Sequence, residues 1–421
     1  MRLLVLGAGV SGRAAAGLAA RLGHQVTLYD RNAIPDAGGL ATVSGEWDPL
    51  LLTGVELVVT SPGIPERAAP ITDTVEAGID LISEVEFAWR HLDAPTVGIT
   101  GTNGKTTVTE LVSRMLGESG LVAPPLGNIG AAASDAVGDA LDVAVLELSS
   151  FQLRFCDTLR CRVAVVTNAA EDHMDWHGSV AGYHAAKARI VANQEEGDTV
   201  VYDASDPGAA AIAVRSEGAR VGVSVDGSEP LGVVGDRLEW GGACIPLDRL
   251  GVGDPAYLTD LALAGVAALG MGGSPEAVVD VAAGFRPGAH RRSLVAEIDG
   301  VRYVDDSKAT NPHAALAAIA AFGSVVLIAG GLAKGLDLAP LASADGVRAV
   351  VAIGGGKDVL LDAARAGGPA ESMEEAVHMA RLIARPGDVV LLAPGTASFD
   401  MFDSYAARGD AFAAAVRSEE Q

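Results

Sequence analysis

Short runs of aliphatic and β-branched residues alternate with alanine-rich stretches of helical period over most of this chain, a pattern that predicts parallel sheets covered by helices. The first runs place strands near Leu3–Leu6, Gln25–Tyr29 and Glu56–Thr60 and a helix from about Ser11 to Leu22, and this opening unit ends near His91–Pro95. A second unit begins with a strand at Thr96–Thr100 and continues with strands near Val143–Leu148, Val163–Thr167 and Thr199–Tyr202. Between about Arg220 and Pro246 glycines separate shorter strands, which predicts a small hairpin-like sheet appended to the second unit. Gly284–Ala289 breaks the preceding helix and marks a second linker. Beyond it, strands near Ser324–Ala329, Ala349–Ile353 and Val389–Ala393 again alternate with helices.

At 421 residues with 49% hydrophobic positions, the chain is long enough for several folded domains. Acidic residues outnumber basic ones by 54 to 30, giving a formal charge of −24, and no basic run is present, so nucleic acid is not an expected partner. An anionic ligand must then be held by a few local cations and helix N-termini. Cys156, Cys161 and Cys244 lack metal-ligand spacing and are expected as buried thiols of a reducing compartment. The opening residues run straight from a strand into a glycine turn, unlike a secretory signal. No apolar run approaches the roughly 20 residues needed to span a bilayer. A cytoplasmic chain without a membrane partner is expected.

The most informative string is Gly98-Ile99-Thr100-Gly101-Thr102-Asn103-Gly104-Lys105-Thr106-Thr107, which joins a strand to a helix through small residues. Such a turn aims backbone N–H groups at phosphates, while Lys105 supplies positive charge and the Thr106 hydroxyl can bind Mg²⁺. It predicts a nucleoside triphosphate, although Ile99 stands where the usual pattern has its first glycine and Gly101 takes over the turn. Gly7-Ala8-Gly9-Val10-Ser11-Gly12 follows the first strand, and Asp30 closes the second; this fits a nicotinamide or flavin, another nucleotide, or helix–strand packing alone. The expected architecture is therefore α/β in three domains. These are a Rossmann-like domain over 1–93, a central P-loop ATPase-like parallel sheet with a small added sheet over 94–288, and a Rossmann-like domain over 289–421. Three domains leave two clefts, and a site spanning them would require closure.

Other strings gather at expected strand ends. Glu147 lies inside the apolar run Val145–Leu148, where a carboxylate needs a partner, either a nucleotide-bound Mg²⁺ or an internal hydrogen bond. Glu171-Asp172-His173 follows the next strand, and His173 could bind metal, move a proton, contact substrate or be a surface histidine. Lys187 falls on the apolar stripe of Val180, Tyr183, Ile190 and Val191, so it is either a snorkelling or ion-paired lysine or one whose neutral amine takes up CO₂ as a carbamate. In the third domain Asp305–His313 opens a helix and His290-Arg291-Arg292 precedes it. Gly330–Gly335 and Ala393–Ser398 each follow a strand, and both have the look of ligand loops.

Taken together, these strings resemble the Mur ligase family, ATP-dependent enzymes that add amino acids to the UDP-N-acetylmuramoyl peptide precursor of the bacterial cell wall. The resemblance spans the chain and implies that Gly101, Thr102, Asn103, Gly104, Lys105, Thr106 and Thr107 bind ATP, with Arg291 and Asp306 contributing from the third domain. It implies two Mg²⁺ ions, one on Thr106 and Glu147 and one on His173 and carbamylated Lys187. Ser11, Gly12, Ser61 and Gly63 would hold the uridine diphosphate end of the precursor, and Asn128 and Ser149 would contact it further along. Thr310, Lys334 and Ser398 would hold the carboxylates of the incoming amino acid. Lys105, Asn128, His173, Lys187 and Lys308 would be the catalytic set. Asp306-Ser307-Lys308-Ala309-Thr310-Asn311 resembles the branch that adds D-glutamate to UDP-N-acetylmuramoyl-L-alanine, and a monomer is expected.

Ala256-Tyr257-Leu258-Thr259-Asp260 stands where the family has a pair of adenine-contacting asparagines, Arg31-Asn32 replaces a Thr-Arg pair, and Tyr405 takes an aromatic position near the amino acid. Rival readings are a family member with another amino acid, such as L-glutamate, a pyridine-nucleotide oxidoreductase, and an inactive nucleotide-binding protein.

Overall fold

The structure, a computed structural model, describes residues 1–333 and 335–419, and of Asp175 the backbone alone. It groups into two compact units, Met1–Ala170 with Trp176–Phe285, and Glu171–Asp175 with Arg286–Gln421. The α/β class is as expected.

The first unit carries two parallel sheets. In one, β1 (Arg2–Leu6), β2 (Gln25–Asp30), β3 (Ala41–Ser44), β4 (Leu57–Thr60) and β5 (Asp80–Ser83) lie in the order β3-β2-β1-β4-β5. The strand order reverses direction at β1, so the crevice at the carboxyl ends of β1 and β4 is where an open sheet of this kind receives ligands. The second sheet holds β6 (Thr96–Thr100), β7 (Pro125–Gly127), β8 (Ala144–Glu147), β9 (Val163–Val166), β10 (Thr199–Asp203) and β11 (Ala219–Val223), in the order β11-β10-β9-β6-β8-β7. β6, β8 and β9 are buried on both faces, which is why they are continuous apolar runs rather than alternating ones. The helix Lys105–Glu118 lays Val108, Leu111, Val112, Met115 and Leu116 on one side of this sheet, beside the helix Pro255–Gly270.

The appended sheet is smaller than its glycine spacing predicts. Only β12 (Gly232–Val234), β13 (Arg237–Glu239) and β14 (Cys244–Pro246) form it, as an antiparallel meander. Ala219–Val223 instead extends the large sheet, pairing in parallel with β10 from Thr199↔Ala219 to Asp203↔Val223. A short run before a glycine has the same pattern whichever partner it finds.

The second unit is a six-stranded sheet of β15 (Ser293–Ile298), β16 (Val301–Asp305), β17 (Val325–Ala329), β18 (Val347–Ala352), β19 (Gly367–Pro369) and β20 (Val389–Leu392), ordered β15-β16-β20-β17-β18-β19. β15 runs antiparallel to β16 and the rest are parallel. The loops after β16, β17 and β20 therefore leave the same sheet edge side by side. Cys156 and Cys161 are buried and burial pushes both thiols up, whereas Cys244 is half-buried. No helix among the described residues is long and apolar enough to cross a membrane.

Candidate active site

The phosphate loop is held from the neighbouring strand end. Gly101 has φ +157°, and a Cβ there would lie 1.8 Å from Thr167 Oγ1, so the loop can press against β9 only as glycine. Asn168 Oδ1 accepts from the N–H groups of Thr102 (3.2 Å) and Asn103 (2.9 Å), and the Tyr183 hydroxyl lies 3.0 Å from Thr102 Oγ1. Gly104 caps the helix Lys105–Glu118 in the left-handed region, and Thr106 and Thr107 are in that helix's first turn. Lys105 Nζ folds over the loop, donating to the carbonyls of Gly101 (2.7 Å) and Thr102 (2.9 Å). Ile99 is fully buried in β6, which explains its departure from the usual glycine: it belongs to the core and the turn starts after it. Tyr257 and Asp260 are buried in the helix Pro255–Gly270, with Asp260 against Gly104 and the Tyr257 ring edge-on to Phe285 at 5.9 Å.

Glu147 ends β8, directly beside β6, and is 1% exposed. Its Oε1 accepts from Asn128 Nδ2 at 2.6 Å, and the Asn128 N–H donates to the Glu147 carbonyl at 3.0 Å. Its Oε2 is buried with no hydrogen-bond partner among the described residues. A buried, unanswered carboxylate oxygen is costly, and next to a phosphate loop its natural complement is a cation. The residues present thus fit Mg²⁺. Ser149 caps the following short helix, its hydroxyl engaged with Gln152 Oε1 at 2.8 Å. Lys187, 1% exposed, donates from Nζ to the Gly101 carbonyl at 2.7 Å and sits 4.6 Å from the centre of the Tyr183 ring.

The first glycine turn, at the end of β1, is built differently. A Cβ on Gly12 would lie 1.7 Å from the Gly7 carbonyl oxygen, so helix and turn touch backbone to backbone. The Asp30 carboxylate accepts from the N–H groups of Ala8 (2.7 Å) and Asn32 (2.8 Å), committing it to its own turn. Ser11 is in the first helical turn, and Ser61 Oγ reaches the Gly7 carbonyl at 3.3 Å with Gly63 exposed just beyond it. The structure brings these four predicted residues to the neighbouring carboxyl ends of β1 and β4.

In the second unit the three suspected loops meet. The Gly395 N–H donates to Ala309, Thr396 Oγ1 to Gly330 and the Leu332 N–H to Ala397. Thr310 is half-buried and Ser398 buried in this cluster, Lys308 Nζ lies 3.8 Å above the Tyr405 ring, and Lys334 lies outside the described residues. Burial pushes the Asp306 carboxyl up to about 6, although Arg292 and Arg291 pull it back; the Arg292 N–H donates to Asp306 Oδ1 at 3.2 Å. His173 has φ +56° and belongs to the short segment grouped with this unit, where its N–H donates to Asp172 Oδ1 at 2.8 Å.

Residues 99–229 match the Mur ligase middle domain and residues 290–396 the glutamate ligase domain of Mur ligases. A UDP-N-acetylmuramoylalanine–D-glutamate ligase of Frankia casuarinae is 42% identical over 99% of this chain and 94% of its own length. A protein of the same name from Pelotomaculum thermopropionicum is 37% identical over 99% and 97%. The chain belongs to the Mur ligase family. It is accordingly an ATP-dependent ligase. The crystal structure of a MurF ligase from Thermotoga maritima in complex with ADP covers 88% of this Mur ligase and 91% of its own chain, with TM-score 0.60 at 17% identity, a likeness of fold. Residues 1–37 also match the C-terminal domain of alanine dehydrogenase/PNT, a likeness confined to the first strand, turn, helix and second strand.

Sequence reasoning about this Mur ligase missed several partners that the fold supplies. Asn168 and Tyr183 grip the phosphate loop, and Arg408, 1% exposed, gathers the second unit's loops. Its Nε donates to Ser307 Oγ (2.9 Å), Nη2 to the Ser307 carbonyl (2.8 Å) and Nη1 to the Thr396 carbonyl (3.1 Å). Burial lowers this guanidinium to about 10, with Asp400 and Asp305 opposing. An arginine on an otherwise alanine-rich helix was the available signal.

Proposed function

We propose that this Mur ligase joins D-glutamate to UDP-N-acetylmuramoyl-L-alanine at the expense of ATP, as a cytoplasmic monomer divided into modules 1–93, 94–288 and 289–421. The observation that carries the reading is near-complete alignment, at 42% identity, with a relative that bears this activity in its name. The site geometry supports the chemistry. A carboxylate is a poor electrophile, so the L-alanyl carboxylate oxygen first attacks the γ-phosphorus of ATP, giving an acyl phosphate and ADP. The D-glutamate amine then attacks the acyl carbon; phosphate leaves and the amine gives up a proton, leaving the amide.

The backbone N–H groups of the phosphate loop and the N-terminus of the helix Lys105–Glu118 would bind the phosphates, with Lys105 moving from its carbonyl partners to them. Thr106 and Glu147 would hold one Mg²⁺, and His173 with Lys187 as its carbamate a second; Mg²⁺ bound there would neutralise charge developing on the phosphoryl group. Asn128 fixes the Glu147 carboxylate from one side, leaving Oε2 for the cation. Ser11, Gly12, Ser61 and Gly63 would seat the uridine diphosphate, and Ser149 the precursor beyond it. Arg291 and Asp306 would contact ATP, and Lys308, Thr310, Lys334 and Ser398 the D-glutamate carboxylates. The test is phosphate release from ATP with UDP-N-acetylmuramoyl-L-alanine and each glutamate enantiomer. Release with D-glutamate alone is expected; equal or greater release with L-glutamate overturns the assignment.

A further inference from the structure

The Asn128 loop that steadies Glu147 is itself held from outside the central sheet. The loop is closed tightly: the Gly127 N–H donates to the Ala131 carbonyl at 2.9 Å, and Leu126 bridges to Ala131. It runs directly into a 3-10 turn, Ala133–Ala136, in which Ser134 is fully buried. Both backbone polar groups of Ser134 are taken by side chains of the first sheet's helices. Glu84 Oε1 accepts from the Ser134 N–H at 2.7 Å, and Arg21 Nη2 donates to the Ser134 carbonyl at 3.0 Å.

This is an expensive way to join two surfaces. Glu84 is 1% exposed, and neither its Oε2 nor Ser134 Oγ has a hydrogen-bond partner among the described residues. Burial pushes the Glu84 carboxyl up, a cost that an apolar pair of the same size would avoid. Packing alone gives no reason for it. Directionality does: two hydrogen bonds to the peptide groups on either side of one residue fix where Ser134 sits, and the short closed segment before it passes that placement to Asn128. Arg21 ends the helix that the first glycine turn opens, and Glu84 starts the helix after β5, so the grip comes from the sheet carrying the predicted UDP site.

We propose that Glu84 and Arg21 are positioning residues that, by clamping Ser134, hold Asn128 against Glu147 and so set the Mg²⁺ affinity of the nucleotide site. The inference rests on the reading of Glu147 as a metal ligand. Its test titrates Mg²⁺ into the full chain with a fixed concentration of a non-hydrolysable ATP analogue and reads nucleotide binding by calorimetry. Asn128→Ala should raise the half-saturating Mg²⁺ concentration about 10–100-fold, as loss of an outer partner does, and Glu84→Leu and Arg21→Leu about tenfold. Glu84→Gln, which retains an acceptor for the Ser134 N–H, should stay close to the parent. Added to Asn128→Ala, Glu84→Leu should change nothing further, because it acts through the side chain already removed.

Full additivity in that double variant, or parental Mg²⁺ dependence in both leucine variants, overturns the clamp while leaving the metal assignment standing. Parental Mg²⁺ dependence in Asn128→Ala overturns the Glu147 assignment and the clamp with it. Arg21 is exposed, so Arg21→Leu, alone and in the Asn128→Ala background, carries the same test if Glu84→Leu does not fold.

Discussion

The two glycine turns of the first unit share a plan, and the carboxylate beside each shows how little the plan decides. Both follow a central strand, both open a helix, and each has an acid at the carboxyl end of the adjacent strand: Asp30 on β2, Glu147 on β8. Asp30 accepts from two N–H groups of its own surroundings. Glu147 accepts from Asn128 with one oxygen and leaves the other buried and unanswered among the described residues. The first carboxylate completes a turn, and the second, on the function proposed above, is completed by a cation. A nucleotide-like turn is therefore read through its neighbouring acid, because glycine spacing is the same for both jobs.

If that contrast holds, removing the Glu147 charge should damage chemistry far more than fold. Glu147→Gln keeps the shape and the Asn128 contact, yet kcat/KM in the phosphate-release assay should fall about 10²–10³-fold with the melting temperature nearly unchanged. Near-normal turnover would make Glu147 a second Asp30. Lys187→Ala should lose most activity, and short carboxylic acids should restore part of it if the lysine acts as a carbamate; with no rescue, Lys187 is a cation that only braces the Gly101 carbonyl. Asn168→Ala should be milder, raising the KM for ATP about fivefold as the Asn103 N–H loses its acceptor while the Thr102 N–H keeps the backbone carbonyl of residue 168, with the KM for the uridine precursor unmoved.

These residues also mark what the sequence could reveal. Gly101–Thr107 was legible because the whole device is contiguous, Glu147 because a carboxylate interrupts an apolar run, and Lys187 because helical spacing puts a cation on a buried stripe. Asn168 carries no such mark: it serves the phosphate loop only because β9 lies beside β6, and strand order is a property of the fold. Arg408 likewise closes on Ser307 across 101 positions of the chain, although Thr396 is only 12 away. β3, β5, β7 and β19 went unread for another reason. With three or four residues each and glycine, proline or polar positions among them, they lack the unbroken aliphatic run that marked the equally short β4, β9 and β20.

The smallest expected effect falls on the first turn. Asp30→Asn leaves one acceptor where two N–H groups need one each, so amide exchange at Ala8 should accelerate about fivefold, corresponding to roughly 1 kcal/mol for one lost hydrogen bond. Burial acts to raise the Asp30 pKa but is outweighed by the N–H donors of Ala8 and Asn32, with Arg31 adding to them, so the folded value lies below the ordinary one. A depressed carboxylate stabilises above its unfolded pKa, about 3.9, and loses that contribution as pH falls through the lower folded value. The difference in Ala8 protection between parent and variant should therefore be constant from neutral pH down to about 4 and shrink below it. A difference that persists unchanged in acid would mean that shape, not charge, holds the turn, and binding of the ATP analogue should be indifferent to the substitution at every pH.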